Sequence, residues 1–164
     1  MVKKENKDEK AVEKGLGFGV TSGVITTLGM IVGLDSATHS FGAIVGGIIA
    51  IAIADAFSDA LGIHVSEETQ KRIGERSIWT ATMVTFFSKF IFALTFVIPF
   101  LIFDLARAVY VSVAWGLIVL IAYNYRLAKR ENKKPFRVIS EHVLIAIVVV
   151  VITHYVGHIV ALLS

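Results

Sequence analysis

The 164-residue chain contains no cysteine, so disulfides, zinc–thiolate sites and iron–sulfur clusters are excluded. It also carries no phosphate loop, no GxSxG elbow, no HExxH pair and no Rossmann fingerprint, and it is not expected to be an enzyme. The glycines of GLGFGV open an apolar helix rather than follow a strand, so they do not form a phosphate cradle. No polar segment between apolar runs exceeds about a dozen residues, which is too short to fold alone, so no second domain is expected. Lys and Arg are missing from the first loop, around DSATHS, and the third connection has only Arg107.

What is present in excess is apolar sequence. Hydrophobic residues make up 55% of the chain, where a soluble domain has about 45–50%. The excess falls in five long runs, at about residues 15–34, 41–63, 78–103, 106–126 and 138–163. Each is long enough to cross a hydrocarbon core of ~30 Å at ~1.5 Å per residue. The chain therefore reads as an all-α integral membrane protein, with residues 1–14 a polar lead-in and 15–164 a five-helix transmembrane domain. The lead-in lacks the order of a signal peptide and suits a solvated segment or a surface helix. Its lysines, together with Lys71, Arg72 and Arg76 and the run RLAKRENKKPFR, all fall on one side of a five-span topology. The positive-inside rule then predicts a cytoplasmic N-terminus and an outside C-terminus. The net charge of +3 is explained by this flanking role, and no nucleic acid partner is expected. The expected location is integral to a membrane, the cell membrane if the source is prokaryotic.

Small residues at four-residue steps let helix backbones approach. Gly15, Gly19 and Gly23 have this spacing, as do Gly29 and Gly33, and Gly42, Gly46 and Ala50. Pro99 removes a backbone donor and predicts a kink in the third span. Phe86, Phe87, Phe90, Phe92 and Phe96 read as lipid-facing aromatic filling.

The second run holds groups that lipid disfavours. Asp55 and Asp59 lie at i and i+4, one turn apart on one face. Each costs roughly 2.5–3.5 kcal/mol at mid-membrane on insertion scales unless it meets protein, water or a cation. Ser58 lies on the same turn, His64 continues the face, and Glu67 and Glu68 follow, giving an acidic stripe that ends at a cytoplasmic mouth. The stripe points to a cation pathway. The competing reading pairs one of the acids with Lys89, the only lysine of the third span. Carboxylate oxygens suit Mg, Mn and Ca and tolerate Fe(II), and a close carboxylate pair can also carry protons. His154 and His158, also i and i+4, form a weaker outer candidate for a metal, because no third ligand is near in sequence. No permanently bound cofactor is expected.

Several stretches together resemble the vacuolar iron transporter family. GVTSGVITTLGMIVGL is similar to its first-helix pattern, and SDALGIHVSEETQ to its second-helix stretch, with Ser58, Gly62, Val65, Ser66 and Gln70 matching. FALTFVIPF resembles the third-helix signature with its proline, and HYVGHIV the Tyr-x-x-Gly ending. The resemblance implies a five-helix homodimer whose ion path runs between subunits, lined by first and second helices. It implies proton-coupled export of Fe(II) or Mn(II) from the cytosol. The departures sit at ion-handling positions: Ser22 stands at the family's first-helix Asp, Asp59 at its Met, Ile63 at its Glu, and Asp55 at a small residue. Residues 64–77 stand where the family has a larger acidic insertion. Exchanging a thioether for a carboxylate moves the site toward harder ions.

The sequence-level expectation is thus a dimeric divalent-cation transporter. Asp55 and Asp59 would be its ligands or proton carriers, with neutral oxygens from Ser22, Ser58 and Thr26, and a mouth at His64, Glu67 and Glu68. Its partners would be the bilayer, a second copy, divalent cations and protons. Two alternatives stand beside it: a non-transporting scaffold or sensor, in which Lys89 neutralises Asp55, and a transporter of another ion.

Overall fold

A computed structural model describes residues 7–70 and 74–163. These form six helices: α1 (Lys7–Thr38), α2 (Phe41–Glu68), α3 (Glu75–Thr95), α4 (Val97–Ile102), α5 (Leu105–Arg130) and α6 (Pro135–Leu163). Taking α3 and α4 as one interrupted run, five helices are long and apolar enough to cross a membrane. Large apolar side chains cover their outer faces, among them Phe57, Leu61, Leu101, Leu144 and Ile152. Water does not tolerate apolar surface on that scale around a monomer, whereas lipid does. The protein is a membrane-integral helical bundle.

The helices outrun the predicted spans at their polar ends. α1 begins at Lys7, so the described part of the lead-in is the first turns of the first helix rather than a separate element. α2 continues through the acidic segment to Glu68. Caps set the outer boundaries. Ser40 Oγ accepts a bond from the Ala43 N–H at the start of α2, and Asp104 Oδ1 accepts one from the Arg107 N–H at the start of α5. The kink expected from Pro99 is a break one turn earlier. Pro99 cannot donate to the carbonyl of Thr95, and the Phe96 N–H closes back on the Ala93 carbonyl at 3.1 Å. Phe96, expected in lipid, is instead fully buried with Phe100 in the core beside this break.

α1 is the central helix, packed against α2, α3, α5 and α6. Its glycines explain how one helix holds so many neighbours. A Cβ on Gly15 would lie 2.7 Å from the Ala81 carbonyl oxygen, and one on Gly29 would lie 2.7 Å from Val149 Cγ1. So Gly15, Gly19 and Gly23 admit α3 on one side, and Gly29 and Gly33 admit α6 on another. The pairings run in the same order along both chains, so α1, α3 and α6 are parallel. α2 and α5 run the other way: Lys14 pairs with Glu67 while Leu34 meets Gly47 of α2, and Gly17 faces Tyr123 while Leu28 meets Gly116 of α5.

α2 packs with one face only. Ile44, Ile48, Ala52, Ala56, Ala60 and Ile63 are buried. The opposite face carries Gly42, Gly46, Ala50, Ala54, Ser58 and Gly62 at unbroken four-residue steps, all exposed. A Cβ on Gly46 or Gly62 would meet nothing within 4 Å. The spacing of Gly42, Gly46 and Ala50 that suggests helix contact in the sequence therefore has no helix packed on it among the described residues.

Candidate functional site

Asp55 stands midway along α2, about 20 Å from either end at ~1.5 Å per residue. Because α1 and α2 are antiparallel, two residues one turn apart on α1 face two residues one turn apart on α2. The Ser22 hydroxyl donates to Asp59 Oδ2 at 2.8 Å, and the Thr26 hydroxyl donates to Asp55 Oδ2 at 2.8 Å. From α3, Lys89 reaches between them. Its Nζ lies 2.6 Å from Asp55 Oδ2, is bonded to Asp59 Oδ2, and donates to Ser22 Oγ at 3.0 Å.

An ammonium has three donors. Here two of them serve Asp59 and Ser22, Asp55 stands in ion-pair contact, and the side chain is 1% exposed. The approach depends on Gly23: a Cβ there would lie 3.0 Å from Lys89 Cγ, so a larger residue would press on the lysine stem. Gly19, one turn earlier, lets the backbone at Thr85 and Lys89 and the Ser88 hydroxyl come in close. The two carboxylates are less enclosed, at 25% for Asp55 and 20% for Asp59. They lie on the flank of α2 next to its open small-residue face, where Ala54 and Ser58 are exposed.

Of the predicted neutral ligands, the structure brings Ser22 and Thr26 to the acids and leaves Ser58 on the open face. Lys89 contacts both acids, not one. The polar end of α2 is arranged differently from an open mouth. The Glu67 carboxylate, 6% exposed, is paired with Lys14 and accepts from Gln70 Nε2 at 3.4 Å. His64 Nδ1 is bonded to Thr82 Oγ1 at 3.0 Å, its Nε2 is 3.4 Å from Glu68 Oε1, and its ring meets Trp79 edge-on at 4.6 Å. Glu68 is exposed. Ala11, Ile63 and Ala81 form a small apolar cluster at this end of the bundle, with Ile63 one turn from Asp59 toward Glu67. Lys14, Thr82 and Trp79 are partners that sequence reasoning missed. Each is remote in the chain from the residue it touches, and the only signal was a basic or hydroxyl residue near the start of a neighbouring span.

The outer histidines part company. His154 Nδ1 is bonded to Ser36 Oγ at 2.6 Å and its ring stacks edge-on to Tyr155, while His158 is exposed on α6. Among the described residues, no group of three or more His, Cys, Asp or Glu side chains is placed to hold a metal. The central cluster is instead an oxygen-rich seat for a cation, two carboxylates with two hydroxyls, that holds the chain's own ammonium. Such hard oxygen donors suit alkali, alkaline-earth and early divalent ions better than soft ones.

The sequence matches no family model, and no curated protein is significantly similar to it.

Proposed function

We propose that the protein is a proton-coupled carrier of divalent cations of the Fe(II) or Mn(II) type, in which Asp55 and Asp59 bind the ion and Lys89 takes its place when the ion leaves. One observation carries this reading: a cation seat built of two carboxylates and two hydroxyls lies midway along the spans, and an ammonium occupies it. Ionisable groups at that depth are expensive and mark ion or proton routes.

Charge balance gives the exchange its form. With Lys89 charged, the cluster bears one net negative charge, and a proton on either carboxylate brings it to zero. With Lys89 neutral, a divalent ion on the two carboxylates also brings it to zero. A low-dielectric interior favours these neutral states over charged ones. They differ by one divalent ion against two protons, one from the Lys89 ammonium and one from a carboxyl group. The hydroxyls of Ser22 and Thr26 turn their oxygens to the ion once their hydrogens are no longer needed by the acids.

The path lies between two copies of the chain. The open face of α2, with glycine, alanine and serine at every fourth position, suits close packing on a second α2. The partly exposed flanks of Asp55 and Asp59 would then border the seam. The lysine and arginine distribution supports a cytoplasmic position for the Lys14–Glu67 end, and export from the cytosol would begin with the opening of that end.

The test is uptake of Mn(II) and Fe(II) by proteoliposomes, with a pH dye inside. The wild type is expected to move about two protons against each metal ion, and Asp55→Asn or Asp59→Asn to abolish both fluxes. Metal flux that survives both substitutions would overturn the assignment. A second reading, a non-transporting scaffold, is favoured by the neutralising contacts that Lys89 makes with both acids within a single chain. Under it, no cation flux is seen in the wild type, and Lys89→Met acts on stability alone.

A further inference from the structure

Two hollows flank the start of α1 on the side away from α2. One, of about 430 Å³, lies between α1 and the end of α5. Its floor is Leu16, Val20 and Phe92, and its rim carries Tyr123, Arg126 and Arg130 with Glu9 and Glu13. The other, of about 340 Å³, is a shallow and almost wholly apolar groove along α3, lined by Met83, Phe87 and Ile91 among others. Leu16 and Phe92 belong to both, so the two join into one surface that is polar at the basic end and apolar toward the bundle centre.

We propose that this joined surface is a seat for one anionic phospholipid of the leaflet at the basic end. The phosphate would sit at Arg126, with one acyl chain over Leu16 and Phe92 into the α3 groove. The rim itself is balanced, Arg126 and Arg130 against Glu9 and Glu13, and the bias toward an anion comes from the lysines beyond it. Arg130 is already engaged by Glu13, whereas Arg126 forms no ion pair among the described residues. Arg126 is exposed at the level where a helix leaves the hydrocarbon, and Lys129 and Lys134 add positive charge beyond it, while Lys133 is paired with Glu131. Basic clefts between spans on that side recognise lipid headgroups. The apolar floor selects a lipid over free phosphate. Phe87 and Ile91 are more than half exposed, at 54% and 56%, and a soluble anion would leave them uncovered. The inference does not depend on what Asp55 and Asp59 carry.

The test is lipid titration of the detergent-purified protein read by native mass spectrometry, with phosphatidylglycerol and phosphatidylcholine of identical chains. Phosphatidylglycerol is expected to bind about fivefold or more tightly than phosphatidylcholine, and Arg126→Gln to remove that preference. Arg126→Lys, which keeps the charge, is expected to retain most of it. Leu16→Trp, which fills the junction of the two hollows, is expected to weaken both lipids. Equal binding of the two lipids, an unchanged preference in Arg126→Gln, or unchanged affinity in Leu16→Trp would each overturn the proposal. Displacement of the lipid by soluble glycerol phosphate would do so too, because it would mark a site for the free anion.

Discussion

At the scale of single residues, Lys89 governs the centre of the bundle. It is surrounded by α1, α2 and its own helix, with a 1% exposed side chain and two carboxylates in contact. Removing one member of a buried ion cluster strands the others. Lys89→Met would leave two carboxylates one turn apart with only hydroxyl donors, and the expected loss is about 3–5 kcal/mol of stability. Lys89→Met combined with Asp59→Asn should recover a good part of that loss, because the second change removes the stranded charge. Thermal unfolding in detergent across the double-mutant cycle measures the coupling. Additive effects of the two substitutions would show that the contacts are not energetically linked. The acids and the lysine were legible in the sequence because each is an ionisable residue inside an apolar run. That Lys89 serves both acids was not legible. The face that α3 turns toward α1 is fixed by Gly15, Gly19 and Gly23, and the sequence showed those glycines as a contact face without saying for which helix.

Element by element, the same residue type does opposite work. Gly19 of α1 lies against the Thr85 carbonyl oxygen, which a Cβ would approach to 2.8 Å. Gly46 of α2 faces open space. Gly19→Leu should therefore push α3 outward, draw Lys89 off the acids and destabilise the monomer by about 1–3 kcal/mol or more, as overpacking does. Gly46→Leu should leave monomer stability within about 0.5 kcal/mol, as for a surface site, or raise it slightly through helix propensity. If α2 pairs with a second α2, Gly46→Leu should instead weaken self-association, seen as a shift from dimer to monomer in light scattering of the detergent-solubilised protein. A dimer that tolerates Gly46→Leu, Ala54→Leu and Gly62→Leu alike is not built on this face. Hydropathy alone located the five runs. Their ends escaped it, because Lys7–Lys14 and Ser66–Glu68 are mostly polar stretches with cross-helix pairs, Lys14 with Glu67 and Asp8 with Ser77, which no local pattern encodes.

For the molecule as a whole, the ion pairs at the basic end act together as a latch. Lys14 holds Glu67 of α2, Asp8 receives the Ser77 hydroxyl at 2.8 Å and faces Arg76 of α3 at 3.5 Å, and Glu13 holds Arg130 of α5. The start of α1 is thus tied to three other helices at once, around the apolar cluster of Ala11, Ile63 and Ala81. These links are unequal. Arg130–Glu13 and Arg76–Asp8 are partly exposed and weakened by salt, and each contributes little alone. Glu67 is enclosed, so its pair with Lys14 is the one whose loss should be felt. A carrier must open this end to admit an ion from the basic side, so breaking that pair should shift the population toward the open form. Because the chain has no cysteine of its own, a single Ile63→Cys reports on this apolar cluster without background. In proteoliposomes, Glu67→Gln should raise the rate of Ile63→Cys labelling by a membrane-impermeant maleimide, about tenfold for each ~1.4 kcal/mol of bias removed. The increase should appear only when the reagent is on the side of Lys14. Labelling from the opposite side, or a rate that Glu67→Gln leaves unchanged, would mean that the Lys14–Glu67 pair holds the helices together without controlling access to Asp59.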